Sequence, residues 1–322
     1  MTRWRFMAWA ILAAGLAGAV HAESYPARPV RIVVPFPAGG PIDFQTRLIG
    51  QKLSERWGQQ VIVDNRAGGN TIIGAEAVAK AAPDGYTLLM AIDSTLVMNQ
   101  ALYSKLPYDP LKDFAPVTRA VRGTTIVAVD AASGPKSVRE LIEQARANPG
   151  KLTFGAGTIT TQMAGEMFKK QLGLDIVFVP YKGSAPTVQA LLTHEVTFIV
   201  DGLAPSVPHI ASGTFRVLAV TSGRPAAALP DVPTVAAAAG LPGFDIATWQ
   251  GLVAPAGTPD AVIDRLHADV GRALNLPDVT AKLASAGLVP DTSPTPAEFA
   301  AFIRAEAKRW AAAIPDAGIR PE

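Results

Sequence analysis

The sequence predicts an α/β protein of two lobes, each a mostly parallel sheet flanked by helices, with two crossing strands joining them. Three observations predict it. Strand-like and helix-like segments alternate from Val30 onward, the pattern of repeated βαβ units. A Pro-rich passage from Leu106 to Val117 divides the alternation into two series. Two terminal helical segments have too little sheet of their own to cover, so they pack most economically on the first series and bring the chain back across. The crossings are expected near 118–125 and 244–250, which assigns 23–123 with 248–322 to one lobe and 124–247 to the other. Two lobes joined by two strands form a hinge suited to closing on a small ligand.

Residues 1–22 are expected to be a secretory leader. Arg3 and Arg5 precede an apolar run from Phe6 to Val20, and Val20-His21-Ala22 makes a small-residue exit with cleavage after Ala22. A membrane anchor is the rival reading, but crossing hydrocarbon takes about 20 apolar residues and this run has 15. No cysteine is present for lipid attachment or a disulfide, so the mature chain is expected free in an extracytoplasmic space, the periplasm of a Gram-negative cell. Removing 22 residues from 322 leaves 300, enough for two sizeable cores. Two of the 29 basic side chains go with the leader, so 27 face 27 acidic ones and the formal charge is zero. No Lys/Arg block with interleaved aromatics occurs, which argues against a nucleic-acid surface.

The stretch Ile32 to Asp43, IVVPFPAGGPID, carries the most information. Val30, Ile32, Val33 and Val34 read as a buried parallel strand, Gly39 and Gly40 allow the backbone to approach a ligand, and Pro41 fits a first helical position. Phe44, Leu48, Ile49, Leu53 and Trp57 then recur at helical spacing. QVIVD (60–64), a helical stretch at 71–82 and YTLLMAI (86–92) complete the first series. In the second, TTIVAVD (124–130) leads to Ser137 and Glu140, a capping box before Val138, Leu141, Ile142 and Ala145, and that helix stops at Asn148-Pro149-Gly150. Strands follow at 152–157, 176–183, 196–202 and 215–221, with helices at 161–172, 186–194 and 205–212 between them. After a loop at 225–243 rich in Pro and Ala, a strand at 244–255 returns the chain. Thr258-Pro259 and Thr295-Pro296 with Glu298 open the last two helices.

Three loops follow parallel strands and precede helices: Phe36 to Pro41, Gly155 to Thr161 and Tyr181 to Pro186. Such loops converge beyond the carboxyl ends of the strands. The N–H groups of Ala38, Gly39 and Gly40 are candidates to receive a carboxylate. Thr158, Thr160, Thr161 and Ser184 offer hydroxyls from the other lobe, and Gly183 and Ala185 offer backbone. The alternative for these Gly and Ser/Thr residues is that they make turns and cap helices. Asp43 suits holding its own loop better than touching a ligand. Asp93, before Ser94 and Thr95, suits capping, or meeting an amino group, with Ser94 a candidate contact. Asp201 ends the corresponding strand of the second lobe, where capping and ligand contact stay open. Phe36 and Tyr181 are candidates for the walls around a carbon skeleton, or for core aromatics, and Trp249 is expected to pack near the crossing strand. Lys182 is the one cation within the three loops. It cannot neutralise several charges, so a mono- or dicarboxylate held by dipoles fits better than a phosphate ester.

A secreted hydrolase finds little support, since there is no G-x-S-x-G and no cysteine, and the mature chain has only His194, His209 and His267. No His/Asp/Glu spacing suggests a metal, and no cofactor is implied.

VPFPAGGPID (34–43), DNRAGGN (64–70), PDGYTLL (83–89), MAGEMFK (163–169), VPYKGSAP (179–186), LAVTSGRP (218–225), LPDVPTV (229–235) and WQGLVAPAGTP (249–259) resemble, in this order, segments of the substrate-binding proteins of tripartite tricarboxylate transporters, also called Bug receptors. The resemblance implies a periplasmic binding protein fold of type II-like design and a monomeric receptor without enzymatic activity. Such a receptor closes on a small carboxylate, often with bridging waters, and delivers it to integral membrane transporter subunits. It leaves the acid open, from di- and tricarboxylates to amino acids and aromatic acids, and a role in ligand sensing stays open beside transport. Two departures stand out. GAGTITTQ (155–162) looks a residue or two shorter than the usual loop, with Gln162 where a His is frequent, and PTVAAAAG (233–240) lacks a frequent Glu and looks one residue longer.

Overall fold

The computed structural model describes residues 25–319, and the expected leader at 1–22 lies outside them. In chain order the first series runs β1 (Val30–Val34), α1 (Pro41–Trp57), β2 (Val61–Asn65), α2 (Ile72–Ala79), β3 (Thr87–Ile92), a π-helical turn (Ser94–Met98), α3 (Asn99–Leu102) and β4 (Phe114–Gly123). The second runs β5 (Thr125–Asp130), α4 (Val138–Ala147), β6 (Thr153–Ala156), α5 (Ile159–Gln171), β7 (Val177–Pro180), α6 (Ser184–Leu192), β8 (Phe198–Gly202), α7 (Leu203–Ala211), β9 (Phe215–Val220) and α8 (Val235–Ala239). The chain ends with β10 (Trp249–Pro255), α9 (Asp260–Leu274), α10 (Pro277–Ser285), β11 (Leu288–Pro290) and α11 (Pro296–Asp316).

These strands form a six-stranded sheet, β11-β4-β10-β3-β1-β2, and a five-stranded sheet, β7-β6-β8-β5-β9. The α/β fold of two lobes is therefore as the sequence predicts. Each sheet is mixed: β1 is parallel to β2 and β3, and β6 to β7 and β8, whereas β10 and β5 run antiparallel to their neighbours. The antiparallel strands are those next to the passages between sheets, because a chain that crosses must reverse to re-enter.

The strands read as near-continuous apolar runs because both faces are covered. In the first sheet, Ile32, Leu88, Met90 and Leu252 meet Leu48, Ile49 and Leu53 of α1 and Leu266 and Val270 of α9. The other face carries Val33, Leu89, Ala91 and Val253, and its apolar cluster continues through Trp249 and Phe299 to Val127, Phe154 and Phe198 of the second sheet. One core thus runs through both lobes. α11 buries a stripe of Phe299, Ile303, Ala307, Trp310 and Ile314 on this side, each large apolar side chain contributing about 1.5–3 kcal/mol when fully buried.

Local signals hold with several adjustments: α8 lies inside the expected 225–243 loop, and α10 and β11 stand between the two terminal helices that the sequence predicts. Ser137 Oγ accepts the N–H of Glu140 at 3.2 Å, but the Glu140 carboxylate reaches the N–H of Lys136 at 2.8 Å instead of returning to Ser137. The strand expected over 244–255 starts only at Trp249. Residues before it pass between the sheets, tied to the end of β9 by Ile246 N–H to Thr221 O at 2.9 Å.

Asp269, fully buried on α9, fastens α1 to α9. It accepts from Arg56 (2.5 Å), Arg265 (2.6 Å), Arg272 (2.7 Å) and the Trp57 indole (2.8 Å). Burial alone would raise its pKa, but the bonds from Trp57, Arg56 and Arg265 outweigh burial and hold it below the usual range. Replacing it (Asp269→Ala) leaves three guanidinium groups crowded together and is expected to lower stability by about 3 kcal/mol. A depressed pKa stabilises above the ordinary carboxylate value near 4 and loses that effect as pH falls toward the lowered value. Urea unfolding of wild type and variant between pH 7 and 3 should therefore converge at the acid end.

Candidate functional site

The strand directions decide where ligand loops meet. β4 is antiparallel to β10, and β10 to β3, so β4 leaves the first sheet at the edge where the parallel strands β1, β2 and β3 end. Only Thr124 separates it from β5, which enters the second sheet with Thr125 opposite Gly202 at the end of β8. β6 and β7 end at that same edge. The carboxyl edges of both parallel groups therefore face each other across the crossing, the place where open α/β sheets present their ligand loops. A hydrogen bond spans them: Thr160 Oγ1, in the first turn of α5, donates to Asp93 Oδ1 after β3 at 2.9 Å.

On the first edge, Gly39 takes a positive φ of 84° that favours glycine. Its N–H donates to Asp43 Oδ2 at 2.9 Å, so this donor is engaged inside the loop. Arg47 (3.0 Å) and Asn65 (2.9 Å) also bind Asp43, and Asn65 reaches back to the carbonyl of Phe36 at 3.1 Å. Burial alone would raise the pKa of Asp43, but the bonds from Arg47, Gly39 and Asn65 lower it overall. Asp43 is thus a clamp on its own loop. Among the described residues the N–H groups of Ala38 and Gly40 have no acceptor, while the Phe36 ring packs on the first-lobe core. Ser94 opens the π-helical turn fully buried, its hydroxyl without a partner.

On the second edge, Thr158 and Thr161 cap α5 reciprocally, each hydroxyl accepting the other's N–H at 3.3 and 3.1 Å. With Thr160 bonded to Asp93, all three hydroxyls have partners within the protein, which leaves the backbone of this helix start as the available donor. Tyr181 turns its ring over Gly155 into the second-lobe core, and burial, then the Glu195 carboxylate, push its phenol up to about 12. Lys182 is exposed and makes no ion pair among the described residues, and Ala185 is also exposed. Gly183 caps α6, and Ser184 Oγ donates to Asp201 Oδ1 at 2.8 Å.

Buried polar atoms without partners concentrate at these edges. They include Asp93 Oδ2, Ser94 Oγ, Trp249 Nε1 and Gln250 Oε1 on the first lobe, and Thr125 Oγ1, Asp201 Oδ2 and Ser206 Oγ on the second. Orphaned buried groups are costly and uncommon. Asp93 and Asp201 are both about 1 % exposed. Burial pushes Asp201 up to about 6 against the pull of Ser184 and the Gly202 N–H, and pushes Asp93 up to about 7 against Thr160 and the N–H groups of Ser94 and Trp249. Three of these residues that the sequence did not single out, Thr125, Gln250 and Ser206, sit on the antiparallel strands and inside a helix, not in loops after parallel strands. A shallow, open depression of about 500 Å³ is lined by Gln100, Tyr103, Leu106 and Tyr108 among others. Its carboxylates are engaged locally, Asp109 with Lys112 at 2.7 Å and Asp113 with the Asp109 N–H at 2.7 Å. Among the described residues no three His, Asp or Glu gather as a metal site, and no helix is long and apolar enough to cross a membrane.

A family profile described as the tripartite tricarboxylate transporter family receptor matches residues 45–319. The chain belongs to this family. It is a periplasmic solute receptor of that type, and its relatives share the whole fold. BugT of Bordetella pertussis is 35 % identical over 313 residues, covering 96 % of this chain and 95 % of its own. The structure of Rpa4515 from R. palustris with adipate has 36 % identity and a TM-score of 0.85, covering 92 % of this receptor and 100 % of that chain. MatC (Rpa3494) from Rhodopseudomonas palustris with bound malate has 32 % identity and a TM-score of 0.80, covering 90 % and 100 %.

The 155–161 and 181–186 loops of the second lobe meet backbone to backbone, with the Gly183 N–H on the Gly157 carbonyl at 3.1 Å. A Cβ on Gly157 would run into the Gly183 backbone, including its Cα at 2.8 Å. Gly157→Ala is expected to push the start of α6 outward, lowering stability by about 1–3 kcal/mol and weakening ligand binding. Thermal unfolding and calorimetry on the variant would read both effects.

Proposed function

We propose that the receptor binds a small organic acid carrying one or two carboxylates between its lobes and hands it, unchanged, to membrane-embedded transporter subunits. The facing carboxyl edges, with buried polar atoms on both sides lacking partners, carry this reading. One carboxylate is received by the free N–H groups of Ala38 and Gly40 on the loop clamped by Asp43. The second lobe contributes the backbone at the starts of α5 and α6, at Ile159, Thr160, Ser184 and Ala185, beyond the engaged N–H groups of Thr158 and Gly183, with Lys182 at the rim. Ser94 and Asp201 offer polar contacts, while Phe36 and Tyr181 stiffen the loops from behind.

Adipate and malate in the two relatives have the size and charge that this dipole-rich, cation-poor arrangement suits. A ligand touching both edges binds the joined form better than the separated one, so closure is a population shift between 23–123 with 248–322 and 124–247. The working form is a monomer released after cleavage at Ala22.

Thermal unfolding and calorimetry against adipate, malate, aromatic monocarboxylates and phosphate monoesters test the proposal. At a hundredfold excess over Kd the correct acid should add about 2.7 kcal/mol, a rise of several degrees. X-ray scattering should show contraction at saturation, and phosphate esters should do nothing. Binding without contraction would argue against closure, and release of a chemically altered ligand would argue against a receptor.

A further inference from the structure

We propose that Asp93 is a proton-binding latch between the lobes, holding them together as the neutral acid and loosening them as the carboxylate. The inference rests on the two-lobe closure described above and adds the proton as a second ligand of the joined form.

The geometry is that of a carboxyl closed off by the meeting of two bodies. Asp93 follows β3 of the first lobe, and its Oδ1 accepts from the Ser94 N–H at 2.7 Å and from Thr160 of the second lobe at 2.9 Å. Thr160 also lies against Met98 Sδ at 3.9 Å, and both are fully or nearly fully buried. Oδ2 has no partner. A proton there leaves Oδ1 free to keep both bonds and removes the buried negative charge.

The charged groups around it offer no compensation. On α5 the charged side chains are paired elsewhere, Glu166 with Lys169 at 3.0 Å and Lys170 with Asp316 at 2.6 Å. β10 contributes the neutral Trp249. α11 contributes Glu306, whose like charge acts on Asp93 and whose carboxylate is held by the Trp310 indole at 3.2 Å and Arg309 at 3.4 Å. On α2, Glu76 is paired with Lys80 at 2.6 Å. Among the described residues no cation pairs with Asp93, and an ionised carboxylate buried without one is strongly disfavoured.

Separation of the lobes breaks the Thr160 bond and admits water, so in the separated form Asp93 ionises near its ordinary value of about 4. In the joined form burial pushes it up to about 7. The joined form therefore holds one more proton between those values. Its advantage is fully present below about 4, falls by at most about tenfold per pH unit above that, and is gone once pH has risen through 7.

The test needs no organic acid, so its failure is separate from failure to find a ligand. The Asp93 side-chain carboxyl is followed by carbon NMR in the purified full-length receptor while a pair of labels, one on each lobe, reports their separation from pH 4 to 8. The expected result is a midpoint near 7 with a separated population that grows over the same range. Asp93→Asn, which keeps an acceptor for Ser94 and Thr160, should abolish the pH response, and Thr160→Val should move the Asp93 midpoint and favour separation at every pH. A midpoint near 4, a separation that ignores pH while Asp93 titrates, or an Asp93→Asn variant that keeps the wild-type pH response would each overturn the proposal. The NMR midpoint decides the matter even if a variant fails to fold.

Discussion

The single-residue passage from β4 through Thr124 into β5 governs everything else. A strand leaving one sheet and entering another without a turn cannot choose which edges meet. It leaves where the parallel strands of the first lobe end and enters where those of the second end. The loops after β1, β6 and β7 are thereby brought to one junction, where the helices that follow them begin. The proposed hinge and the proposed site are two aspects of one covalent constraint.

The junction is built from dipoles more than from charges. Its acidic groups have separate duties: Asp43 holds a loop and stays ionised among donors, whereas Asp93 and Asp201 are enclosed and pushed toward neutrality. Lys182 stands exposed at the margin. Such a surface discriminates by geometry and hydrogen bonding and is less sensitive to salt than a cluster of lysines and arginines, because its donors are fixed in the backbone. It also matches a family whose solved members hold acids as different as adipate and malate, since backbone donors recognise a carboxylate without specifying the skeleton between two of them.

Much of this was legible in the sequence. Apolar runs covered on both faces, Gly/Pro punctuation and a leftover pair of helices were enough for two lobes, and IVVPFPAGGPID announced its strand, loop and helix directly. Asp43 as a clamp followed from its position three residues after Gly40. The site was less legible where contacts are remote. Thr160 meets Asp93 across 67 residues, and nothing local marks that bond. Thr158 and Thr161 form a capping box in which a second Thr replaces the usual Glu or Gln, so their hydroxyls read as free. Thr125 and Gln250 lie in strands whose apolar neighbours hide them, and their exposure to the junction depends on strand direction, which periodicity does not report.

The backbone contact between Gly157 and Gly183 has a consequence for how this receptor can diverge from its relatives. Two segments tied this closely through their backbones form a single mechanical unit, so an insertion, deletion or bulkier residue in either must be answered in the other. A change of length in the 155–162 segment could therefore not stand as an isolated edit, and a new preference for cargo in this half of the molecule would have to evolve through paired changes in both turns.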